Sequence, residues 1–126
     1  MKNYQLQFIL WRGTPNIFLL NFQNTKKDKN PKHQILHISN DEGKLFFEWK
    51  QKYNGKRIYI NKFVAIQNYL FCESSLTRKF FYFDKQLNLF VVNTYESMES
   101  IFPSSFNPSY IYKLVTNDET VNLKHI

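Results

Sequence analysis

The sequence predicts an all-β, mainly antiparallel domain: a small barrel or sandwich of about eight or nine strands built from consecutive hairpins, with one short helix near residues 94–102. Three observations predict it. Aromatic residues make up 18% of the chain, chiefly 13 Phe and 8 Tyr, and these side chains favour pleated, half-buried surfaces. Apolar residues alternate with polar ones over short runs, the period of a strand with one face buried. Turn-forming clusters recur at close spacing. A length of 126 residues fits a single domain spanning 1–126, large enough to bury about two-thirds of its unfolded surface.

The elements follow in order. Asn3 to Trp11 alternates, with Tyr4, Leu6, Phe8 and Leu10 on one side, which predicts a half-buried strand. Gly13-Thr14-Pro15-Asn16 is a turn. Ile17 to Phe22 is apolar on both faces except at Asn21, as a more central strand would be. Gln23 to His33 is a loop dense in lysine, broken by Asn30 and Pro31. Gln34 to Ser39 reads as a short strand and Asn40-Asp41-Glu42-Gly43 as a turn.

Lys44 to Phe63 reads as a long hairpin around Asn54-Gly55, a dipeptide that accepts the two positive φ angles of a type I′ turn. Counting outward pairs Tyr53 with Lys56, Gln51 with Ile58 and Trp49 with Ile60 on an apolar face. Lys52 with Arg57 and Lys50 with Tyr59 fall on a basic one. Residues 63–72 fit either strand or helix; β-branched and aromatic content favours strand, with a bend near Gln67-Asn68. Arg78 to Asn93 is a second hairpin around Asp84-Lys85-Gln86, apolar on both faces, hence either packed on both sides or displaying aromatics to a partner. The short helix rests on Asn93 and Glu96 as a capping box, with Tyr95, Met98 and Phe102 on one face and Pro103 ending it. Tyr110 to Val115 and Thr120 to Ile126 form a last hairpin, with Tyr110, Tyr112, Leu114, Val121, Leu123 and His125 on one face.

No catalytic constellation emerges. Cys72 is the single cysteine. It has no base nearby in sequence and sits among apolar residues, the setting of a small buried hydrophobe. One cysteine also rules out an intrachain disulfide and suits a reducing, intracellular compartment. His33 and His37 lie four apart, but on a strand that separates them by about 13 Å, too far to share a metal. The acidic pairs sit in turns, and no phosphate-binding glycine loop exists. No cofactor, metal or small-molecule substrate is expected. No run reaches the roughly 18 apolar residues of a membrane helix, and Phe8–Trp11 is too short for the apolar region of a signal peptide.

What remains is charge. The formal net charge is +7, which points to an acidic partner: nucleic acid or a larger assembly. Lysine, asparagine, phenylalanine, isoleucine and tyrosine are abundant, so an AT-rich coding sequence accounts for part of that basicity. The candidate nucleic-acid surface is Lys50, Lys52, Lys56, Arg57 and Tyr59 on the central hairpin, with Lys26, Lys27 and Lys29 on the preceding loop; basic groups meet phosphates and the ring stacks on a base. The alternative is a protein-interaction module, a subunit, adaptor or inhibitor, docking through Phe80, Tyr82 and Phe90.

Overall fold

A computed structural model describes residues 4–24, 33–96, 99–103, 110–115 and 120–125. These residues are all-β and antiparallel, with no α-helix among them. The first sheet is a four-stranded meander of β1 (Tyr4–Trp11), β2 (Ile17–Asn24), β3 (Ile35–Ser39) and the two-residue β4 (Phe47–Glu48). A two-residue hairpin, β5 (Lys52–Tyr53) and β6 (Lys56–Arg57), follows. The second sheet is another meander, β7 (Lys62–Ile66), β8 (Tyr69–Ser74), β9 (Lys79–Phe83) and β10 (Leu89–Thr94). The third contains β11 (Glu99–Pro103), β12 (Tyr110–Val115) and β13 (Thr120–His125). These sheets are not closed into a barrel. Three of the strands are only two residues long, so local pairing is more fragmented than the expected eight or nine strands.

One core is shared by the first two sheets. Trp11, Ile17, Leu19, Leu36 and Ile38 from the first meet Phe63, Leu70, Cys72, Phe81 and Phe83 from the second. β1 of the first sheet lies beside β7 of the second. The Trp11 indole at the end of β1 donates to the Gln67 carbonyl just past β7 at 2.7 Å. Trp49 and Ile60, which flank the small hairpin, complete this core, and Trp49 meets Phe83 edge-on at 5.0 Å. On its other face the second sheet presents Phe71, Phe80 and Tyr82, and Ile101 of β11 packs there. Phe80–Phe83 of the second sheet are therefore covered on both sides, the packed one of the two alternatives that the apolar faces of the 78–93 hairpin left open, while Phe90 stays exposed.

Several expectations are corrected. The helix near 94–102 is replaced by strand: β10 runs through Thr94, and Glu99–Pro103 pairs with β12. Past Thr94, the Tyr95 amide donates to the Arg78 carbonyl and its phenol donates to Glu73 at 2.5 Å. These long-range bonds outweigh a two-turn helix, which nucleates poorly by itself. Met98 and the 116–119 turn lie outside the described residues.

The long hairpin over 44–63 is also shorter than expected. Asn54 and Gly55 do have positive φ, 52° and 77°, and Lys52↔Arg57 and Tyr53↔Lys56 pair as counted. The ladder then ends at the bond from Ile58 N to Gln51 O. Phe47 and Glu48 pair instead with Ile38 and His37, while Lys62–Ile66 pairs with β8. The two arms thus belong to different sheets.

A third correction concerns β1. Trp11 is buried and Ile9 packs against the core, whereas Leu6, Phe8 and Leu10 point outward at 57, 53 and 36% exposure. The richer apolar stripe of this strand is its outer one. In the second hairpin, Asp84 pairs with Asn88 around residues 85–87, and a bulge between Leu89 and Val91 shifts the remaining register, so Tyr82 faces Val91. Residues 63–72 are strand, with the bend at Gln67-Asn68 as a tight turn between β7 and β8.

Candidate functional site

The 50–57 hairpin stands where the chain crosses from the first sheet to the second, and buried amides hold its base. Gln34 is fully buried. Its Nε2 donates to the Asn21 Oδ1 at 3.1 Å and the Ile60 carbonyl at 2.6 Å. Its Oε1 accepts from the Ile60 amide at 2.9 Å and from Gln51 Nε2 at 3.2 Å. Gln51 Nε2 also donates to the Ile58 carbonyl, and Asn21 Nδ2 to Gln7 Oε1. This network satisfies the backbone groups freed where the two arms part. A buried backbone polar group left without a partner costs about 1–3 kcal/mol, so side chains must take the place of the missing ladder.

On this base Lys50, Lys52 and Lys56 are exposed. Arg57 is half-buried: its Nη2 donates to the Gln34 carbonyl at 2.9 Å, and its Nε is buried with no partner among the described residues. Arg57 therefore serves first to anchor the hairpin to Gln34, just before β3. Tyr59 is half-buried, and because the ladder has already ended it is not placed opposite Lys50 by backbone pairing. Lys26, Lys27 and Lys29 lie outside the described residues.

The structure adds two groups that the sequence reading did not include. Lys79 of β9 brings its Nζ to 5.9 Å from the ring centre of Tyr53 on the hairpin, within cation–π range. Tyr53 in turn meets Phe81 edge-on at 5.8 Å. The basic group thus spans both the hairpin and the second sheet, seated on a ring braced by the core. No local pattern marks Lys79, since its nearness to Tyr53 arises only when the hairpin folds back on β9.

The residues of the alternative site are divided. Phe80 and Tyr82 are 3 and 0% exposed, beneath Ile101 and its neighbours, while Phe90 is exposed at 43%. Two of the three rings are thus spent on internal packing. Burial without a hydrogen-bond partner raises the Tyr82 phenol to about 12. Burial, then the hydrogen bond to Glu73, also raises Tyr95.

Other features carry less chemistry. Cys72 is a buried free thiol pushed well up by burial, the opposite of an activated nucleophile. Among the described residues no group of three His, Cys, Asp or Glu side chains could hold a metal, and no helix is long and apolar enough to cross a membrane. An open cleft of about 500 Å³ lies between the loops of the two sheets, lined by Thr14, Pro15, Ile17, Asn40, Lys85 and Gln86. Lys85 is committed there to the Arg12 carbonyl at 3.1 Å and the Trp11 ring at 5.4 Å. No protein-family model matches the chain, and no curated protein or solved structure matches it.

Proposed function

We infer that the chain is a non-catalytic binding domain that contacts nucleic acid, or a nucleoprotein assembly, through the basic 50–57 hairpin. The observation that carries this reading is that Lys50, Lys52 and Lys56 stand exposed on a stem anchored by Arg57 and the Gln34 amide. A fixed stem matters because ordering a flexible lysine loop would cost backbone entropy of about 1–2 kcal/mol per residue on binding. Lys79 extends the charge, and the partly buried Tyr53 and Tyr59 sit close enough in sequence to supply an aromatic edge to a base. The setting we infer is the reducing interior of a cell, where a lone thiol needs no oxidised partner.

The test is a salt titration of binding to labelled single- and double-stranded oligonucleotides. Three to four lysine–phosphate contacts give a slope of log K against log[salt] of roughly −2 to −3.5. Charge reversal of Lys50, Lys52 and Lys56 together flattens that slope and weakens binding at least tenfold, with unchanged circular dichroism. Binding that is absent at low salt, or indifferent to those three changes, overturns the reading.

A further inference from the structure

We propose that the nucleic acid bound at the 50–57 hairpin is unpaired, a single strand with one base stacked on Tyr53 and the neighbouring phosphates held by Lys56 and Lys79. This deepens the function inferred above and rests on it. Tyr53 and Lys56 are cross-strand partners on one face of the hairpin. Lys79 reaches the same ring from β9, its Nζ 5.9 Å from the ring centre. Alternation puts Lys79 on the Phe81 side of its strand, the side that joins the shared core. The Glu73 carboxylate accepts from Tyr95, which packs on the opposite face of the sheet. One aromatic ring thus has two cations beside it, one from the hairpin and one from the second sheet.

The ring is set in place before any strand arrives. Phe81 is fully buried and meets it edge-on at 5.8 Å, while Tyr53 is half-buried and part of it meets solvent. Relative strengths decide what occupies it. A base stacked on an aromatic side chain tightens binding by about 5- to 150-fold. An exposed cation–π contact holds its cation by only about 2- to 5-fold. A base therefore displaces the Lys79 ammonium from the ring, and the ammonium, still tethered beside it, meets an adjoining phosphate.

Pairing removes this mode of contact. A base inside a duplex has both faces covered by its neighbours in the stack, so the ring finds no free face. Reading base edges is closed to this hairpin as well. A β-ribbon that does so lies in a major groove about 12 Å wide with a face free to meet the bases. Here Tyr53 packs on Phe81 on one face, and on the other Arg57 is tied to the Gln34 carbonyl. The paired part of each strand is two residues, about 7 Å.

The experiment is fluorescence anisotropy of the full chain with labelled deoxyuridine and uridine strands of about 12 residues, inside the roughly 4–16 nucleotides that one small domain covers. An abasic deoxyribose-phosphate strand of the same length and a duplex of equal phosphate number complete the set. The base-bearing strands bind about tenfold tighter, or more, than the duplex or the abasic strand at the same salt. Tyr53→Leu weakens them about fivefold or more and leaves the abasic strand unchanged, whereas Tyr53→Phe, which keeps the ring, binds as the parent does. Lys79→Gln flattens the slope of log K against log[salt] by about 0.7, one phosphate contact on a single strand. The tighter of the two sugars names the natural strand. Fluorescence of the buried Trp11 and Trp49 confirms that each variant is folded, and the abasic comparison needs no variant at all. Duplex binding as tight as strand binding, yet lost on reversing Lys50, Lys52 and Lys56, overturns the single-strand proposal and leaves the proposed function standing. An abasic strand bound as tightly as the base-bearing ones, or indifference to Tyr53→Leu in a folded variant, does the same. No binding to any of them overturns both.

Discussion

The first and second sheets are both four-stranded meanders with the same strand order, and both carry aromatic residues on the two faces of their strands. They differ in cover. Phe80 and Tyr82 of β9 are nearly or wholly buried, whereas Phe8 of β1 is more than half exposed. Phe81 and Phe83 on the other face of β9 share their core with Trp11 and Leu19 of the first sheet. The comparison teaches that an apolar stripe states what a face can bury, and that a neighbouring element decides whether it does so.

The sharpest way to break this comparison is to truncate a ring on each side. Phe81→Ala should cost about 3–5 kcal/mol by urea denaturation, because a fully buried ring leaves a cavity. Phe8→Ala measured at low micromolar concentration should cost no more than about 0.5 kcal/mol, as for other surface changes. Equal losses would mean that the first sheet is covered within the monomer.

The two sheets also differ in how their shared boundary is held. Both meet it with apolar side chains, but beside that core Asn21 of the first sheet and Gln34 just before β3 add a buried amide network that reaches Ile60 and Gln51 at the base of the hairpin. Gln34→Leu should cost about 2–4 kcal/mol, since the Ile60 amide, the Ile60 carbonyl and Gln51 Nε2 lose a shared partner at about 1–3 kcal/mol for each group left unpaired. Amide exchange should quicken at Ile58 and Ile60 before the rest of β8 and β9. A loss below about 1 kcal/mol would show that water replaces the amide easily and that the arms of the hairpin need no such hub.

The smallest effect tests the cover over the second sheet. Tyr82 is raised to about 12, above the ordinary phenol value of 10.0. A raised folded value favours the neutral phenol, so this contribution to stability is complete below pH 10 and is lost as pH rises toward 12. Absorbance at 295 nm should show a late-ionising tyrosine fraction to which Tyr82 and Tyr95 both contribute and which loses the Tyr82 share in Tyr82→Phe, together with loss of the folded circular dichroism signal. Ile101→Ala should bring that ionisation to lower pH by exposing the ring. A titration in which every tyrosine ionises near 10 while the fold persists would place Tyr82 in contact with water.

Much of the fold is legible locally. Asn54-Gly55 dictates a two-residue turn because the needed positive φ angles leave few other residues comfortable, and the pairing it implies is present at Lys52↔Arg57. Asp41 in the Asn40–Gly43 turn accepts from the Leu45 amide and the Ser39 hydroxyl, bonds that lower its pKa by favouring the carboxylate and that its place in a turn anticipates. The last hairpin, Tyr110–Val115 with Thr120–His125, pairs as alternation suggested. The candidate site was legible in part. Lys50, Lys52 and Lys56 stand exposed at a turn, as polar residues around Asn-Gly do, but the anchoring of Arg57 to the Gln34 carbonyl and the approach of Lys79 to Tyr53 join residues 23 and 26 positions apart.

The amino-acid sequence by itself determined the all-β class, the places where the chain turns and the pairing nearest each turn, because φ preference and period-2 alternation act over a few residues. Tertiary structure decided which face of β1 turns inward, where the central hairpin parts, and that residues 99–103 extend as a strand. Alternation is symmetric between the two faces of a strand, and only packing breaks that symmetry: Trp11 finds the Gln67 carbonyl and a core to fill, and the Leu6–Phe8–Leu10 stripe is left facing out.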